Sequence, residues 1–417
     1  ECILEIMKKK VWIFNHYATD TMLDHGGRHY WFAKYLTRAG YDVRIFCAST
    51  VHDTDINFDV GKSGYCEKEV DGVKYTLIET SNYVGNGKSR VKNMYQYYRR
   101  IFRVVKNYGK PNVILASSVH PLALQAGLKI SKKLGVKCIC EVRDLWPESL
   151  VEYNIIPRNH IITKLLYRGE RRLYKKAESL VFTIPGAGKY ISDRGWENDV
   201  PKSKIYNINN GIDLEVYNEN KLNKTVEDSD LEDKNFKKVL YTGSLRAANK
   251  PENFIKLAEC LAEVSDNIKI IVYGGGDQLE VLRAKVAEKG LNNIVFKGRV
   301  DKEYIPFILS KGDLNMMDGD IGGLSKYGIS GNKLFDYIAS GKPIIMDCEE
   351  NEFGIINSNK IGIAKNFENP KAMAETIADM INGDEKRYEL WCENAKALTL
   401  EFDFKRLTDK LIEIIEK

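Results

Sequence analysis

The sequence has no apolar run that approaches the ~20 residues needed to cross a bilayer, so we predict no transmembrane helix. Its eight cysteines include no Cys-x-x-Cys pair, which argues against a zinc site and against a disulfide framework. It also lacks the apolar core of a signal peptide, because the four apolar residues from Val11 directly follow three lysines. We therefore expect a cytoplasmic protein whose natural start is Met7, which makes residues 1–6 a remnant.

Acidic residues are absent from 88–110, which carries eight basic residues interleaved with tyrosines. A second basic run, 158–176, contains Glu170 as its one acid. Segments of this kind suit docking on an anionic membrane, and they equally suit a solvated helix face, so both interpretations stay open. We find no nucleic-acid recognition motif and predict no nucleic-acid partner.

A chain of 417 residues is too long for one core and predicts two domains. Short β-branched runs alternate with helical patterns, which is typical of parallel sheets covered by helices. The strands expected in the first half are 11–15, 43–47, 73–78, 113–117, 136–142, 180–183 and 205–208. Those expected in the second half are 239–242, 268–273, 294–296, 314–317, 343–346 and 361–364.

A polar, charged segment at 217–236 separates the two runs of strands and predicts a linker between two doubly wound sheets. We expect an N-terminal domain over 1–216 and a C-terminal domain over 237–395. The last stretch, 396–417, is predicted to be a helix that packs back on the first domain. Ligands of open α/β sheets bind at the carboxyl ends of the strands, so two facing sheets would form a cleft.

Glycines and cations follow several predicted strands. Gly26 and Gly27 precede a helix, where they let backbone amides approach an anion or simply form a tight turn. Gly243 and Arg246 end the first strand of the second half, and the Arg246 guanidinium suits a diphosphate. Lys250 follows four residues later.

A third loop begins at Gly328 and leads into a predicted helix over 332–339. Free amides at a helix start favour an anion, and Asp336, one turn further on, is placed to bind ribose hydroxyls. The alternative is a capped surface helix. The glycine run 274–276 lacks G-x-G-x-x-G spacing, so we predict no nicotinamide cofactor.

Together these features resemble the retaining GT-B glycosyltransferases of family GT4, especially the bacterial members that build capsule and O-antigen polysaccharide. The matching parts are Gly26-Gly27, 141–149, 210–213, 241–246 with Asn249, and 328–343. The resemblance implies an α/β GT-B fold, with two Rossmann-like domains that face each other across a cleft. It also implies an acceptor held by the first domain and a nucleotide-diphosphate sugar held by the second.

The resemblance also implies individual roles. Arg246 would contact the donor diphosphate, and Asp336 would hold the ribose. Gly26 and Gly27 would approach the transferred sugar or its phosphate. The other donor-binding residues would be Gly243, Asn249, Lys250, Ser330, Asn332, Lys333 and Leu334. Where the family often has two glutamates eight residues apart, this sequence has Gly328 and Asp336, which bears on how the sugar is held.

Negative charge builds up on the departing diphosphate, and fixed cations and amides would stabilise it, with Arg246 as the catalytic cation. Asp144 would orient or deprotonate the acceptor hydroxyl, or else pair with Arg143. His120 would contact the sugar, whereas no role is assigned to His16. We expect no obligatory metal, and we interpret the Asp-Gly-Asp run at 318–320 as a loop acid pair.

The function predicted is transfer of a hexose or N-acetylhexosamine, with retention, from a UDP-linked sugar to a lipid-linked or saccharide acceptor. The protein would act in cell-surface polysaccharide synthesis, at the inner face of the membrane. Two alternatives stay open, a sugar-nucleotide 2-epimerase on the same fold and a non-catalytic scaffold that binds nucleotide sugars.

Overall fold

The computed structural model describes residues 8–85, 87–118, 120–246, 250–317 and 322–417. The chain forms two compact units, one of residues up to Asn209 together with Phe404–Lys417, and one of Asn210–Asp403. None of the helices in these described ranges is long and apolar enough to cross a bilayer.

The first unit contains an eight-stranded sheet. Its strands are β1 Lys10–Phe14, β2 Asp42–Ala48, β3 Tyr65–Val70, β4 Val73–Ile78, β5 Val113–Ser118, β6 Lys137–Val142, β7 Ser179–Phe182 and β8 Ile205–Asn207. Their order is β3-β4-β2-β1-β5-β6-β7-β8, and all neighbours are parallel except the antiparallel pair β3 and β4. The seven strands predicted for this half are confirmed, whereas β3 was not predicted because it is polar and largely exposed.

The second unit contains a six-stranded parallel sheet in the order β11-β10-β9-β12-β13-β14. Its strands are β9 Lys237–Thr242, β10 Ile268–Tyr273, β11 Ile294–Gly298, β12 Leu314–Met317, β13 Ile344–Asp347 and β14 Gly362–Lys365. All six were predicted. Two doubly wound sheets built from buried apolar strands are therefore confirmed.

Helices cover these sheets. They are α1 Ala18–Leu23, α2 Arg28–Arg38, α3 Lys88–Val104, α4 Pro121–Leu134, α5 Glu148–Glu152, α6 Ile161–Lys176, α7 Ala187–Asp193, α8 Leu214–Asn223, α9 Ser229–Glu232, α10 Asn253–Val264, α11 Leu279–Lys289, α12 Ile305–Ser310, α13 Asn332–Ser340, α14 Pro370–Asn382, α15 Glu385–Thr399 and α16 Phe404–Glu416.

Each sheet has one place where the order of strands reverses. In the first sheet β1 lies between β2 and β5, and in the second β9 lies between β10 and β12. The loops that follow the two central strands diverge there, which opens a crevice at the carboxyl ends. His16 and His120 follow β1 and β5, and Gly243 and Arg246 follow β9.

The segment 217–236, predicted as a linker, is partly helical and belongs to the second unit. Tyr217 of α8 and Leu231 of α9 are buried in that unit's core, which explains why the polar stretch folds. The chain returns to the first unit after Asp403, and the rings of Phe404 and Phe32 there have centroids 5.8 Å apart. The division into an acceptor-binding and a donor-binding domain stays a prediction.

A buried carboxyl joins α6 to α7 in the first unit. Glu170 is 3% exposed, and it accepts hydrogen bonds from the hydroxyls of Tyr174 at 2.8 Å and Tyr190 at 2.7 Å. Burial raises the pKa of Glu170 to about 8, because two neutral hydroxyls stabilise the charged form less than water does. Glu170 is therefore mostly protonated in the folded protein at pH 7.

This raised pKa predicts a specific pH dependence. The unfolded carboxyl loses its proton near pH ~4.3, so its contribution to stability is complete below that pH and is lost as the pH rises to about 8. Glu170→Gln keeps a neutral group of the same shape and should remove this decline. Urea unfolding of wild type and Glu170→Gln at pH 5 and pH 8 measures the change in the free energy of unfolding, and Glu178→Gln, at an exposed glutamate, is the control. Equal pH dependence in wild type and Glu170→Gln would contradict the prediction.

Candidate functional site

The loop after β9 packs tightly against its neighbours in the second unit. A Cβ added to Gly243 would lie 2.7 Å from Lys333 Nζ and 2.8 Å from the Tyr241 hydroxyl oxygen, so a larger residue would displace the ends of these side chains. A Cβ on Gly274, after β10, would clash with the carbonyl oxygen of Gly243. The backbone at the carboxyl end of β9 is thus closely surrounded by the side chains of Lys333 and Tyr241 and is held in place by the next strand's loop.

The start of α13 is fixed to the end of β9. Lys333 Nζ donates to the Tyr241 hydroxyl at 3.0 Å and lies 4.4 Å from the centroid of that ring. One turn further on, the Tyr337 hydroxyl accepts a hydrogen bond from the Thr242 backbone N–H at 2.8 Å. Gly243 and Lys333, which lie 90 residues apart in the sequence, are therefore brought together, while their role in binding the donor stays a prediction.

The first turn of α13 offers fewer free amides than the sequence suggests. Gly331 caps the helix without a side-chain hydrogen bond, and Asn332 is exposed at the first position. The Leu334 backbone N–H, however, donates to the Gly331 carbonyl at 3.1 Å, and the Leu334 side chain is in the core. Leu334 was predicted to bind the donor, but its amide already has a partner.

Ser330 was also predicted to bind the donor, yet both of its polar groups hold Asn210. The Asn210 backbone N–H donates to Ser330 Oγ at 2.9 Å, and the Asn210 side-chain amide donates to the Ser330 carbonyl at 2.8 Å. Ser330 thus anchors the segment at 210–213 to the loop before α13.

Asp336 is half-buried on α13. Burial raises the pKa of its carboxyl, and Lys302 opposes that shift. Arg246 has an exposed side chain, and its backbone nitrogen lies against Gly276, where a Cβ would be 3.0 Å away. Lys250 is exposed too, whereas Asn249 lies outside the described residues. The predicted roles of Arg246, Lys250 and Asp336 stay predictions.

Two histidines meet at the crevice of the first sheet. His16 follows β1 and His120 follows β5. His16 Nδ1 and His120 Nε2 lie 2.8 Å apart, and both side chains are almost fully buried. The His16 ring also stacks on the rings of Tyr17 and Tyr97, with centroids 4.4 and 4.8 Å away. The fold therefore holds His120 through a histidine to which the sequence assigned no role.

Burial keeps both imidazoles neutral. It holds the pKa of His16 well below its ordinary value and lowers the pKa of His120 to about 3. In a neutral pair, one ring donates its N–H and the other accepts with its lone pair. His16 Nε2 and His120 Nδ1, the outer nitrogens, have no hydrogen-bond partner among the described residues. One outer nitrogen therefore carries a hydrogen and the other a lone pair.

A buried ionic network ties strand ends of the first sheet to α2. Arg28 Nε donates to Glu141 Oε1 at 2.7 Å, and His29 Nε2 and the Ser117 hydroxyl both contact Glu141 Oε2 at 2.7 Å. His29 Nδ1 lies 2.8 Å from the Asn15 side-chain nitrogen. Because the Asn15 amide can only donate, His29 carries its proton on Nε2 and donates it to Glu141.

The charges in this network follow from its surroundings. Burial would raise the pKa of Glu141, but the Arg28 guanidinium and the contacts with His29 and Ser117 hold it well below its ordinary value. Burial lowers the pKa of His29, which therefore stays neutral. The network is thus one carboxylate, one guanidinium and one neutral imidazole, which we had not predicted. The signal that could have indicated this network is Glu141, an acidic residue near the end of the apolar strand predicted at 136–142, because a buried acid needs a buried hydrogen-bond or ionic partner.

The remaining predicted residues of the first unit lie near this network in the chain. Gly27 has φ +87°, and a Cβ there would be 3.0 Å from Thr21 Cγ2, so glycine is required. The Gly26 N–H donates to the Thr21 carbonyl at 3.2 Å, which leaves that amide with a protein partner. Asp144 is exposed, yet the surrounding protein desolvates its carboxyl and raises its pKa, with Arg143 opposing.

No group of three or more His, Cys, Asp or Glu side chains that could hold a metal occurs in the described ranges. The Asp-Gly-Asp run at 318–320 lies outside those ranges, so its predicted character as a loop acid pair stays open.

Two family descriptions match consecutive parts of the chain. Glycosyltransferase Family 4 matches residues 30–216, and Glycosyl transferases group 1 matches residues 223–398. The two matches together cover most of the chain. The chain therefore belongs to the group 1 glycosyltransferases of family GT4.

Individual relatives agree with this assignment. An uncharacterized glycosyltransferase of Methanocaldococcus jannaschii is 28% identical over 250 residues, which cover 59% of this chain and 60% of that protein. The match thus spans less than two thirds of that relative's length. Sucrose-phosphate synthase of Thermosynechococcus elongatus has a TM-score of 0.69 at 14% identity, with 98% of each chain covered. HepE of Anabaena has a TM-score of 0.64 at 14% identity, with 98% and 99% covered. These likenesses confirm the GT-B fold.

Proposed function

We propose that this chain transfers a hexose or N-acetylhexosamine from a UDP-linked sugar, with retention, to an acceptor used in cell-surface polysaccharide synthesis. The observation that carries the proposal is the arrangement at the end of β9, where Gly243 and Lys333 meet at the reversal point of the second sheet. Such points collect phosphate groups in α/β proteins. HepE of Anabaena was solved in complex with UDP, which supports a uridine nucleotide.

In the proposed reaction, the protein stabilises the diphosphate as it leaves the sugar. Lys333 supplies a cation that Tyr241 holds in one place, and Arg246 supplies a guanidinium whose donors match phosphate oxygens. Charges that are already in position need no reorganisation when the bond breaks, which is why they lower the barrier. Asp336 binds the ribose hydroxyls. We expect no obligatory metal.

The first unit is proposed to hold the acceptor. Asp144 lies just beyond the end of β6, and its raised pKa favours proton uptake from an attacking hydroxyl. The outer nitrogen of His120 offers a hydrogen bond to a sugar hydroxyl, with His16 fixing the ring. Gly26 and Gly27 would approach the transferred sugar.

The basic segment 88–110 forms α3, which contains no acidic residue. Lys88, Lys92, Arg99 and Arg103 are exposed on it. We propose that α3 makes peripheral contact with anionic lipid, since each Lys or Arg near such a surface contributes about 1 kcal/mol.

A thermal-unfolding panel of UDP-, GDP- and dTDP-sugars tests the donor assignment, with and without a chelator. A UDP-sugar at 100 times its Kd should stabilise the protein by about 2.7 kcal/mol, and chelator should change little. A release assay then separates the alternatives: a 2-epimerase isomerises the nucleotide sugar without acceptor, and a scaffold binds it without turnover. No shift with any nucleotide sugar would contradict the proposal.

A further inference from the structure

An open groove of about 980 Å³ runs between α4 and α6 in the first unit. Its apolar lining includes Leu122, Leu128, Trp146, Leu165, Leu166 and Leu173. Both helices begin at the carboxyl end of the sheet, and α4 has 14 residues, so the groove is about 20 Å long at 1.5 Å per residue.

The groove exists because α6 is apolar on two faces. One face, with Tyr167 and Tyr174, is buried against the unit. On the other side Ile161 is 62% exposed and Leu165 is 55% exposed. Five of the 14 large apolar side chains that are exposed in the described residues fall within 153–165. Of these five, Leu165 lines the groove. Exposed apolar side chains in a groove mark a surface that something covers.

The charges around the groove are mainly positive. Lys129, Lys132, Lys137, Arg172 and Lys176 line it, against the two acids Glu170 and Glu178. Glu170 is buried and bonded to two tyrosine hydroxyls, so it adds no negative charge at neutral pH. An apolar floor with a cationic rim is complementary to an anionic amphiphile, whereas a second copy of the same basic face would be repelled.

One end of the groove reaches the candidate site. Pro121, which lines the groove, directly follows His120, and Trp146 lies two residues after Asp144. A molecule in the groove therefore extends along the flank of the sheet from the end where the acceptor is proposed to react.

We propose that this groove binds the apolar chain of a lipid-linked anionic acceptor and delivers its sugar end to His120 and Asp144. The inference rests on the proposed glycosyl transfer and commits it to a lipid-linked acceptor rather than a free saccharide. The apolar chain replaces water over the leucines of the groove, while the rim lysines and Arg172 neutralise the phosphate.

Binding of geranylgeranyl phosphate below its critical micelle concentration tests the groove without requiring turnover. Wild type should bind it, geranylgeraniol should bind at least ~10-fold more weakly, and inorganic phosphate should not compete, because both chain and charge are needed. Leu165→Gln and Arg172→Glu should each weaken binding ~10-fold or more. Leu222→Gln, at a leucine of the second unit that is 76% exposed, is the matched control and should change nothing.

Two further measurements separate this proposal from the proposed function. The thermal shift with UDP-sugar should be the same in both groove variants as in wild type. If wild type itself showed no such shift, that result would count against glycosyl transfer rather than against the groove. With a long-chain acceptor the variants should raise KM and leave kcat unchanged, and a water-soluble acceptor should show no difference. Unaltered affinity for geranylgeranyl phosphate in both variants would overturn the groove assignment. So would a groove variant that changes the oligomeric state instead.

Discussion

Arg246→Ala is expected to lower kcat by about 10²–10³-fold, the usual cost of removing one donor from a charge-stabilising site. Arg246 is exposed at the carboxyl end of β9, where the sheet order reverses. Because it would act on the charge that develops as the diphosphate leaves, its loss should reduce kcat more than it raises KM. The stabilisation by UDP-sugar should also shrink or disappear.

Initial rates and thermal unfolding of the same preparations measure both effects. Arg387→Ala is the matched control, since Arg387 is an arginine of the same unit whose guanidinium bonds to Asp379 on α14. It should leave kcat and the nucleotide-dependent shift as in wild type. If Arg246→Ala kept the full shift and the full rate, Arg246 would be removed from the site, and Lys333 would be left as the cation held at the end of β9.

The fold could be predicted because its strands are buried on both faces. Each of the 13 expected strands is an apolar or β-branched run, and all 13 are present within a few residues of the expected bounds. The strand β3 was not predicted, because its side chains are mostly polar and it lies at the edge of the sheet with β4 as its one neighbour. The helices α8 and α9 were not predicted for a similar reason, since a few apolar residues such as Tyr217 and Leu231 anchor a charged segment to the core.

The candidate site could be predicted only in part. Local patterns identify loops that follow strands, and Gly243 with Lys333 illustrates how the topology then brings such loops together. Local patterns do not identify hydrogen-bond partners that are far apart in the sequence. His16 and His120, which lie 104 residues apart, form a pair that no local pattern indicates. For the same reason the sequence did not indicate that Ser330 accepts hydrogen bonds from Asn210, which lies 120 residues away.

The two units differ in how they hold polar groups at their strand ends. In the first unit, the network of Arg28, His29 and Glu141 buries charged and neutral groups that satisfy one another. In the second, Arg246 and Asn332 stay exposed. A buried network fixes geometry and an exposed cation attracts anions, which is the division of roles proposed above for the acceptor and the donor.

Glu141→Gln is expected to lower the free energy of unfolding of the first unit by about 3–5 kcal/mol, because it leaves the buried Arg28 charge without a counter-charge. The side chains of Arg28 and Glu141 are 3% and 1% exposed, so water cannot replace the lost carboxylate. Glu67→Gln is the control, since Glu67 pairs with Arg44 at a side-chain exposure of 54% and should cost at most about 1 kcal/mol.

A Trp391→Phe background makes the measurement specific, because the four remaining tryptophans, at 12, 31, 146 and 196, all lie in the first unit. Urea unfolding followed by their fluorescence then reports that unit alone.

The pKa of Glu141 is lowered on folding, so the contribution of this carboxylate to stability is complete above the unfolded pKa of about 4.3 and is lost as the pH falls through the folded pKa. The difference between wild type and Glu141→Gln should therefore be constant from pH 5 to 7 and shrink on acidification. A difference no larger than that of Glu67→Gln at pH 7 would mean that Arg28 finds its compensation in the carbonyls of Ile208 and Asn209, to which it also donates.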